Sequence, residues 1–134
     1  MSFVRMLTTD AGTMQDPSWK DVEAAIAALD AEEATLVVLA PLPPKGPPRG
    51  DHHLGIGGGK ADRCVVYVTE DNLRFWNLED AAKASSTARV MMLVGGQHGD
   101  YRESQCVPKE WAVRAAREYF ERGARAADLP WTES

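Results

Sequence analysis

The amino-acid sequence predicts an α+β fold: a single antiparallel sheet of about five strands flanked by an N-terminal and a C-terminal helix. Three observations carry that expectation. Apolar residues recur at helical spacing in two stretches, near residues 17–30 and 108–122. Between them lie β-branched and apolar runs of strand length. The links between these runs are mostly short, and short links make antiparallel neighbours. At 134 residues the chain has the size of one ordinary domain, and 1–134 is read as one.

The elements follow in order. Residues 3–7 fit a short strand, and the polar stretch from Thr8 to Gln15, with Gly12, reads as a loop. Ser18 is a good N-cap with Asp21 three residues on, a shortened capping box, and Pro17 suits a first helical position. Trp19, Val22, Ile26 and Leu29 then form one apolar stripe on a helix that fades near Asp30. Thr35 to Leu39 is a β-branched strand. Residues 41–50 hold five prolines and two glycines, a composition that supports an extended connection and neither ladder nor helix.

The strand expected from His52 to Gly57 puts His52, Leu54 and Ile56 on one face and His53, Gly55 and Gly57 on the other. A strand face left bare by glycine predicts that another backbone or a large side chain lies close against it. Residues 57–60 then turn, and Cys64 to Val68, apolar on both faces, reads as a central strand. After a tight connection at Glu70-Asp71-Asn72, Leu73 to Leu78 is the fourth strand. A polar, alanine-rich link from Glu79 to Ala88 leads to Arg89–Val94, the fifth, again apolar on both faces. Residues 95–101 turn the chain. Pro108 opens the second helix, whose apolar side carries Trp111, Ala115 and Tyr119, and Gly123 suits the position just past its end. Leu129-Pro130-Trp131 is an apolar anchor for the tail. Both stripes need cover, so the helices are expected to pack together on one face of the sheet.

Composition removes several function classes. No stretch approaches the roughly 20 consecutive apolar residues of a membrane span. Residues 1–5 lack the basic region and long apolar run of a signal peptide, so the expected location is the cytoplasm, where thiols stay reduced. Two cysteines, Cys64 and Cys106, are too few for a disulfide scaffold or a four-cysteine zinc site. A net charge of −5, from 20 acidic and 15 basic residues, argues against direct nucleic-acid binding and for a basic partner.

The motifs that suggest chemistry fail on their details. The run Leu54-Gly55-Ile56-Gly57-Gly58-Gly59-Lys60-Ala61 has leucine where a phosphate loop needs its first glycine, and alanine where it needs the magnesium-holding hydroxyl. The dinucleotide fingerprint fails at Lys60. Gly95-Gly96-Gln97 matches the tripeptide with which translation release factors trigger ester hydrolysis, but an acidic chain of this size is a poor host for RNA, and the glycines read as a left-handed turn. His52, His53 and His98 show no metal-ligand spacing with one another or with the cysteines, and no metal or other cofactor is expected. Cys106 and His98 have nothing local to activate a thiol. Asp51, Glu70, Asp71, Glu79, Asp80 and Asp100 fall at expected strand ends and loops; if they share one edge of the sheet they form an acidic surface for a basic partner, and otherwise they are the charged loops that solvent requires. An alternative reading is a small-molecule-binding or enzymatic domain built on the glycine-rich face near His53 and the loop from Gln97 to Tyr101.

The chain as a whole also carries a recognisable order of residues. Trp19 heads an alanine-rich helix, Gly55, Gly57 and Gly58 follow in a strand, and Trp76 lies in a later strand. Gly95-Gly96-Gln97 precedes Asp100-Tyr101, and Gly123 and Trp131 close the series. In order and spacing this resembles immunity protein family 1 of bacterial polymorphic toxin systems, over residues 19 to 131. The resemblance implies an α+β protein of the producing cell's cytoplasm. It would neutralise a cognate toxin domain, often a nucleic-acid-targeting one such as a deaminase, by stoichiometric binding and without enzymatic chemistry. It implies no membrane partner. The family residues read as structural, glycines for turns and tryptophans for packing, so the toxin contacts are expected in loops.

Overall fold

The computed structural model describes residues 5–41 and 52–133. Phe3 and Val4 of the first expected strand, Asp51, and nearly all of the proline-rich connection lie outside the described residues. The fold is α+β, mainly antiparallel, with two helices. The main sheet is larger than expected. It has eight strands rather than about five.

Its strands are β1 (Arg5–Thr9), β2 (Gly12–Gln15), β3 (Leu36–Pro41), β4 (His53–Gly58), β5 (Arg63–Thr69) and β6 (Phe75–Leu78), with two short strands, β9 (Val107–Pro108) and β10 (Trp131–Glu133), that follow the hairpin β7 (Arg89–Val94) and β8 (Gln97–Arg102) along the chain. Their spatial order is β10-β6-β5-β4-β3-β1-β2, and β9 pairs with β5. The stretch expected as a loop before the first helix is therefore the β1–β2 hairpin. All four residues of β2 are exposed, so no alternation of burial marks it in the sequence. The strand expected from Leu73 begins at Phe75.

Arg89–Val94 is not a strand of the main sheet. It pairs only with β8, the stretch expected as a turn, in a separate two-stranded hairpin. Its apolar run has a different cause from that of β5. One side of β7 packs on the main sheet through Met92 and Val94, while Met91, 55% exposed, faces out.

Both expected helices form, but the first ends at Ala27, and Pro108, expected to open the second, pairs in β9 and stands just before it. In α1 (Trp19–Ala27) the Ser18 hydroxyl accepts the Asp21 N–H (3.2 Å), and the Asp21 carboxylate accepts the Ser18 N–H (2.9 Å), a reciprocal capping box. In α2 (Lys109–Arg122) Gly123 takes the left-handed conformation, φ 68°, and its N–H donates to the Tyr119 carbonyl (2.8 Å). The helices meet where Trp19 packs on Phe120, ring centroids 5.7 Å apart. Lys109, at the start of α2, donates to the carbonyls of Ala27 (3.2 Å) and Leu29 (2.8 Å), and so ties the end of α1 to α2.

Val22, Ile26, Ala112, Ala115, Ala116 and Tyr119 of the helices meet Val37, Leu39, Leu54, Ile56, Val66, Val68 and Leu78 of the sheet in one buried cluster. Alternation along each strand sends the neighbouring residues, among them Gly55, Gly57, Val65 and Tyr67, to the opposite face. That second face carries the hairpin.

Candidate functional site

The bare face of β4 is covered as its glycines predict. A Cβ added to Gly55 would fall within the Tyr67 ring, and one at Gly57 within the Val94 side chain. At Gly58 it would meet the Met92 sulfur at 2.8 Å. Tyr67 is fixed in place because His53 Nε2 shares a hydrogen bond with its hydroxyl (3.1 Å). The glycines are thus the recess into which the β7–β8 hairpin and one tyrosine fit.

The turn of that hairpin is Gly95-Gly96, with φ of 59° and 79°. Val94 pairs with Gln97 across it, so both central residues are left-handed, as a two-residue hairpin turn requires. The turn is anchored on Thr35, which is 1% exposed. Gly96 N–H donates to the Thr35 hydroxyl oxygen (3.0 Å), and Gly95 N–H to the Thr35 carbonyl (3.4 Å). The Thr35 hydroxyl in turn donates to Asp10 Oδ2 (2.6 Å), while Asp10 Oδ1 accepts the N–H groups of Thr35 (2.7 Å) and Leu36 (2.8 Å). A chain of hydrogen bonds therefore runs from the β1–β2 turn through β3 to the hairpin tip. Neither Asp10 nor Thr35 stands out in the sequence, because the partners are 25 residues apart and share no local motif.

Among the described residues three carboxyls lie below the usual range. Burial pushes Asp10 up, but its hydrogen bonds from Thr35 and Leu36 outweigh that. Asp30 is held down by the N–H groups of Glu32, Ala34 and Glu33, and Asp71 by those of Arg74 and Leu73. Unfolded carboxyls of ordinary affinity bind protons at higher pH than these do, so acid favours the unfolded chain. Their stabilisation is complete above the unfolded value of about 4 and is lost as pH falls through the lower folded values. The urea midpoint should stay level between pH 6 and 5 and drop below about pH 4. Asp10→Asn should flatten the drop, and an equally steep drop in that variant would remove Asp10 from the account.

The acidic residues singled out from the sequence are spread over the structure. Glu70 and Asp71 stand exposed in the turn after β5. That turn is stiff. Asp71 Oδ1 accepts the N–H groups of Leu73 and Arg74 (both 2.9 Å), Thr69 Oγ1 accepts the Asn72 N–H (2.9 Å), and the Thr69 hydroxyl donates to the Arg74 carbonyl (2.7 Å). At its tip Leu73 is 82% exposed, outside the strand expected to begin there. Glu79 and Asp80 lie beyond the other end of β6. Glu79 accepts from Arg102 (3.2 Å) and from the Ser104 hydroxyl (3.1 Å), and Asp80 caps the short turn at Ala82 (3.1 Å). Asp100 pairs with Arg89 across the hairpin (3.4 Å). The cross-strand arginines that meet Glu79 and Asp100 are invisible without the register.

Some residues of the motif order make packing contacts. Trp76 lies under the Arg125 guanidinium, 3.8 Å from its ring centre, and the Trp131 indole donates to the Ala126 carbonyl (2.9 Å). Arg117 lies 4.9 Å over Trp19. Tyr101 packs inward beside Val65 and Tyr67, and Gln97 is exposed at the hairpin tip.

The three histidines stay apart. His52 Nδ1 reaches the Tyr119 hydroxyl (2.6 Å) on the helix side, His53 faces Tyr67 on the hairpin side, and His98 is exposed. Burial raises the Tyr119 hydroxyl, and Glu70 adds to the rise. Among the described residues no three His, Cys, Asp or Glu side chains gather as a metal site. Burial pushes the Cys64 thiol up to about 12 and raises Cys106 as well, so neither forms a ready thiolate. Cys106 Sγ donates to the Arg102 carbonyl (3.5 Å). Beneath the hairpin, Tyr67, Asn77, Tyr101 and Gln105 border a cavity of about 170 Å³. Ligand pockets usually exceed about 300 Å³, so this space is small for the alternative ligand-binding reading.

Residues 10–133 match the family of immunity protein Imm1. The chain belongs to that family. No curated protein shows a significant match to it. Membership of the Imm1 family brings a toxin-neutralising function and a cognate toxin as partner. Among the described residues no helix is long and apolar enough to cross a membrane.

Proposed function

We propose that this Imm1 protein neutralises a nucleic-acid-targeting toxin domain, such as a deaminase, by stoichiometric binding in the cytoplasm of a bacterial producer. The protein contributes no chemistry of its own. The observation that carries this reading is the turn after β5. It is stiffened by four hydrogen bonds, presents Glu70 and Asp71, and projects Leu73 at 82% exposure. A preorganised apolar tip beside two carboxylates suits a partner pocket with a basic rim, because little order is lost on binding. A toxin that grips nucleic acid needs such a rim for the phosphates.

The turn separates charge from shape in a test. Asp71→Asn keeps an oxygen to accept the Leu73 and Arg74 N–H groups, and Glu70→Lys reverses an exposed charge. In a tagged pull-down from the native cells, a stoichiometric partner with a toxin domain supplies the binding partner. Against it, the Glu70→Lys/Asp71→Asn double variant should associate about tenfold more slowly at low salt, with a flatter salt dependence and little change in dissociation. Unchanged association would move the interface elsewhere. Glu79 is left out of this variant because its bonds to Arg102 and Ser104 make it part of the fold.

A further inference from the structure

Strand β2 ends the main sheet, and its free edge is open among the described residues. The phase of the ladder shows which groups it offers. Asp16 N–H donates to the Arg5 carbonyl (2.7 Å), which makes Arg5–Asp16, Leu7–Met14 and Thr9–Gly12 the hydrogen-bonded pairs. The backbone N–H and C=O of Thr13 and Gln15 therefore point away from β1, towards the edge. Sheet edges are commonly guarded by charge or proline. The opposite edge strand, β10, has Glu133 within it, whereas Gly12-Thr13-Met14-Gln15 holds neither charge nor proline, Asp16 and Pro17 standing only beyond its end.

Beside this edge runs an apolar groove. Between β2 and α1 it measures about 420 Å³ and is bordered by Leu7, Met14, Ala24 and Ala25. Met14 is 44% exposed into it. It continues past Ala25 into a second depression of about 260 Å³ beside Ala28 and Leu36. Carboxylates stand at both ends, Asp21 at one and Asp10 with Glu33 at the other, and no lysine or arginine borders either part.

We propose that β2 and the α1 groove bind an extended segment of another protein by strand addition. The segment pairs its backbone with Thr13 and Gln15 and directs apolar side chains at alternate positions into the groove. Basic residues at its two ends meet Asp21 and the Asp10–Glu33 end. A second copy of this chain is the wrong occupant, because it would bring the same carboxylates and a net charge of −5. The surface is separate from the β5–β6 turn, and the proposal stands or falls independently of the toxin reading.

The probe is the capped heptapeptide KTVTVTK, whose two valines and two lysines share one face of a strand, titrated into the isotope-labelled full chain and followed by amide chemical shifts. Shifts confined to residues 12–16 and 21–28 are the expected result. Thr13→Pro removes one outward N–H at an edge position that tolerates proline, and should weaken binding about fivefold. Ala24→Leu fills the groove from the exposed side of α1 and should weaken it further, with the native spectrum retained elsewhere. The acidic peptide ETVTVTE should not bind. Absence of shifts at millimolar peptide, equal binding of the two peptides, or indifference to both variants would overturn the proposal. So would a dimer joined through residues 12–16 in sedimentation, since the occupant is then a second copy.

Discussion

Gly59→Ala is expected to lower the melting temperature by about 10–15 °C, which for a chain of this size corresponds to about 3–4 kcal/mol. Two costs combine. Gly59 has φ +102°, a conformation that L residues rarely adopt. An added Cβ would also run into the backbone of Leu29 and lie 2.8 Å from the Asp30 nitrogen. Backbone cannot swing aside as a side chain can. It is held here from both directions, since Leu29 is buried and its carbonyl accepts from Lys109, while Gly59 N–H donates to the Arg63 carbonyl (2.8 Å). Gly96→Ala is the control. Its φ is +79°, but nothing lies within 4 Å of an added Cβ, so only the conformational cost of about 1 kcal/mol remains. If calorimetry gave the two variants the same melting temperature, the close approach at Gly59 would have no energetic content.

Thr35→Val should cost about 2–3 kcal/mol and act unevenly across the molecule. Valine keeps the shape but removes the hydroxyl that donates to Asp10 and accepts from Gly96. One of those bonds has a charged acceptor, the stronger kind. The other is the side-chain tie between the hairpin tip and β3. Amide exchange should therefore quicken across β7 and β8 well before it does in β4 and β5. Thr35→Ser, which retains the hydroxyl, should leave hairpin exchange near its native rate. Uniform quickening across every strand would show that Thr35 supports the whole sheet and has no special hold on the hairpin.

Local chemistry made the helices and the central strands legible. Ser18 with Asp21 marked the start of α1, Gly123 marked the end of α2, and the stripes from Trp19 to Leu29 and from Trp111 to Tyr119 gave the packed faces. The glycines of β4 also disclosed that something would lie on them, and Tyr67 and the hairpin do. What escaped was nonlocal. Gln97 to Arg102 is polar and looked like a turn, but becomes β8 because Val94, Met92 and Val90 offer it a partner strand. Gly12–Gln15 has no buried face to announce β2, and β9 and β10 are too short to show a period. Of the candidate contact surface, the charges were legible but their company was not. Arg89 and Arg102 reach Asp100 and Glu79 only once β7, β8 and β6 are in register. The exposed Leu73 looked like the first residue of a strand because an apolar residue beside Phe75 fits that pattern.

The β7–β8 hairpin has a bearing on how such a protein can diversify. Its two sides have separate duties. Val90, Met92, Val94, Gly99 and Tyr101 belong to the side that meets the glycine recess, and Arg89, Met91, Leu93, His98, Asp100 and Arg102 alternate with them on the other. Substitution at Met91, Leu93 or His98 can redraw the outer side while the inner side keeps its fit, whereas Arg102 stays tied to Glu79. A lineage can thus revise that part of its surface in small, separable steps, with foldability retained at each one.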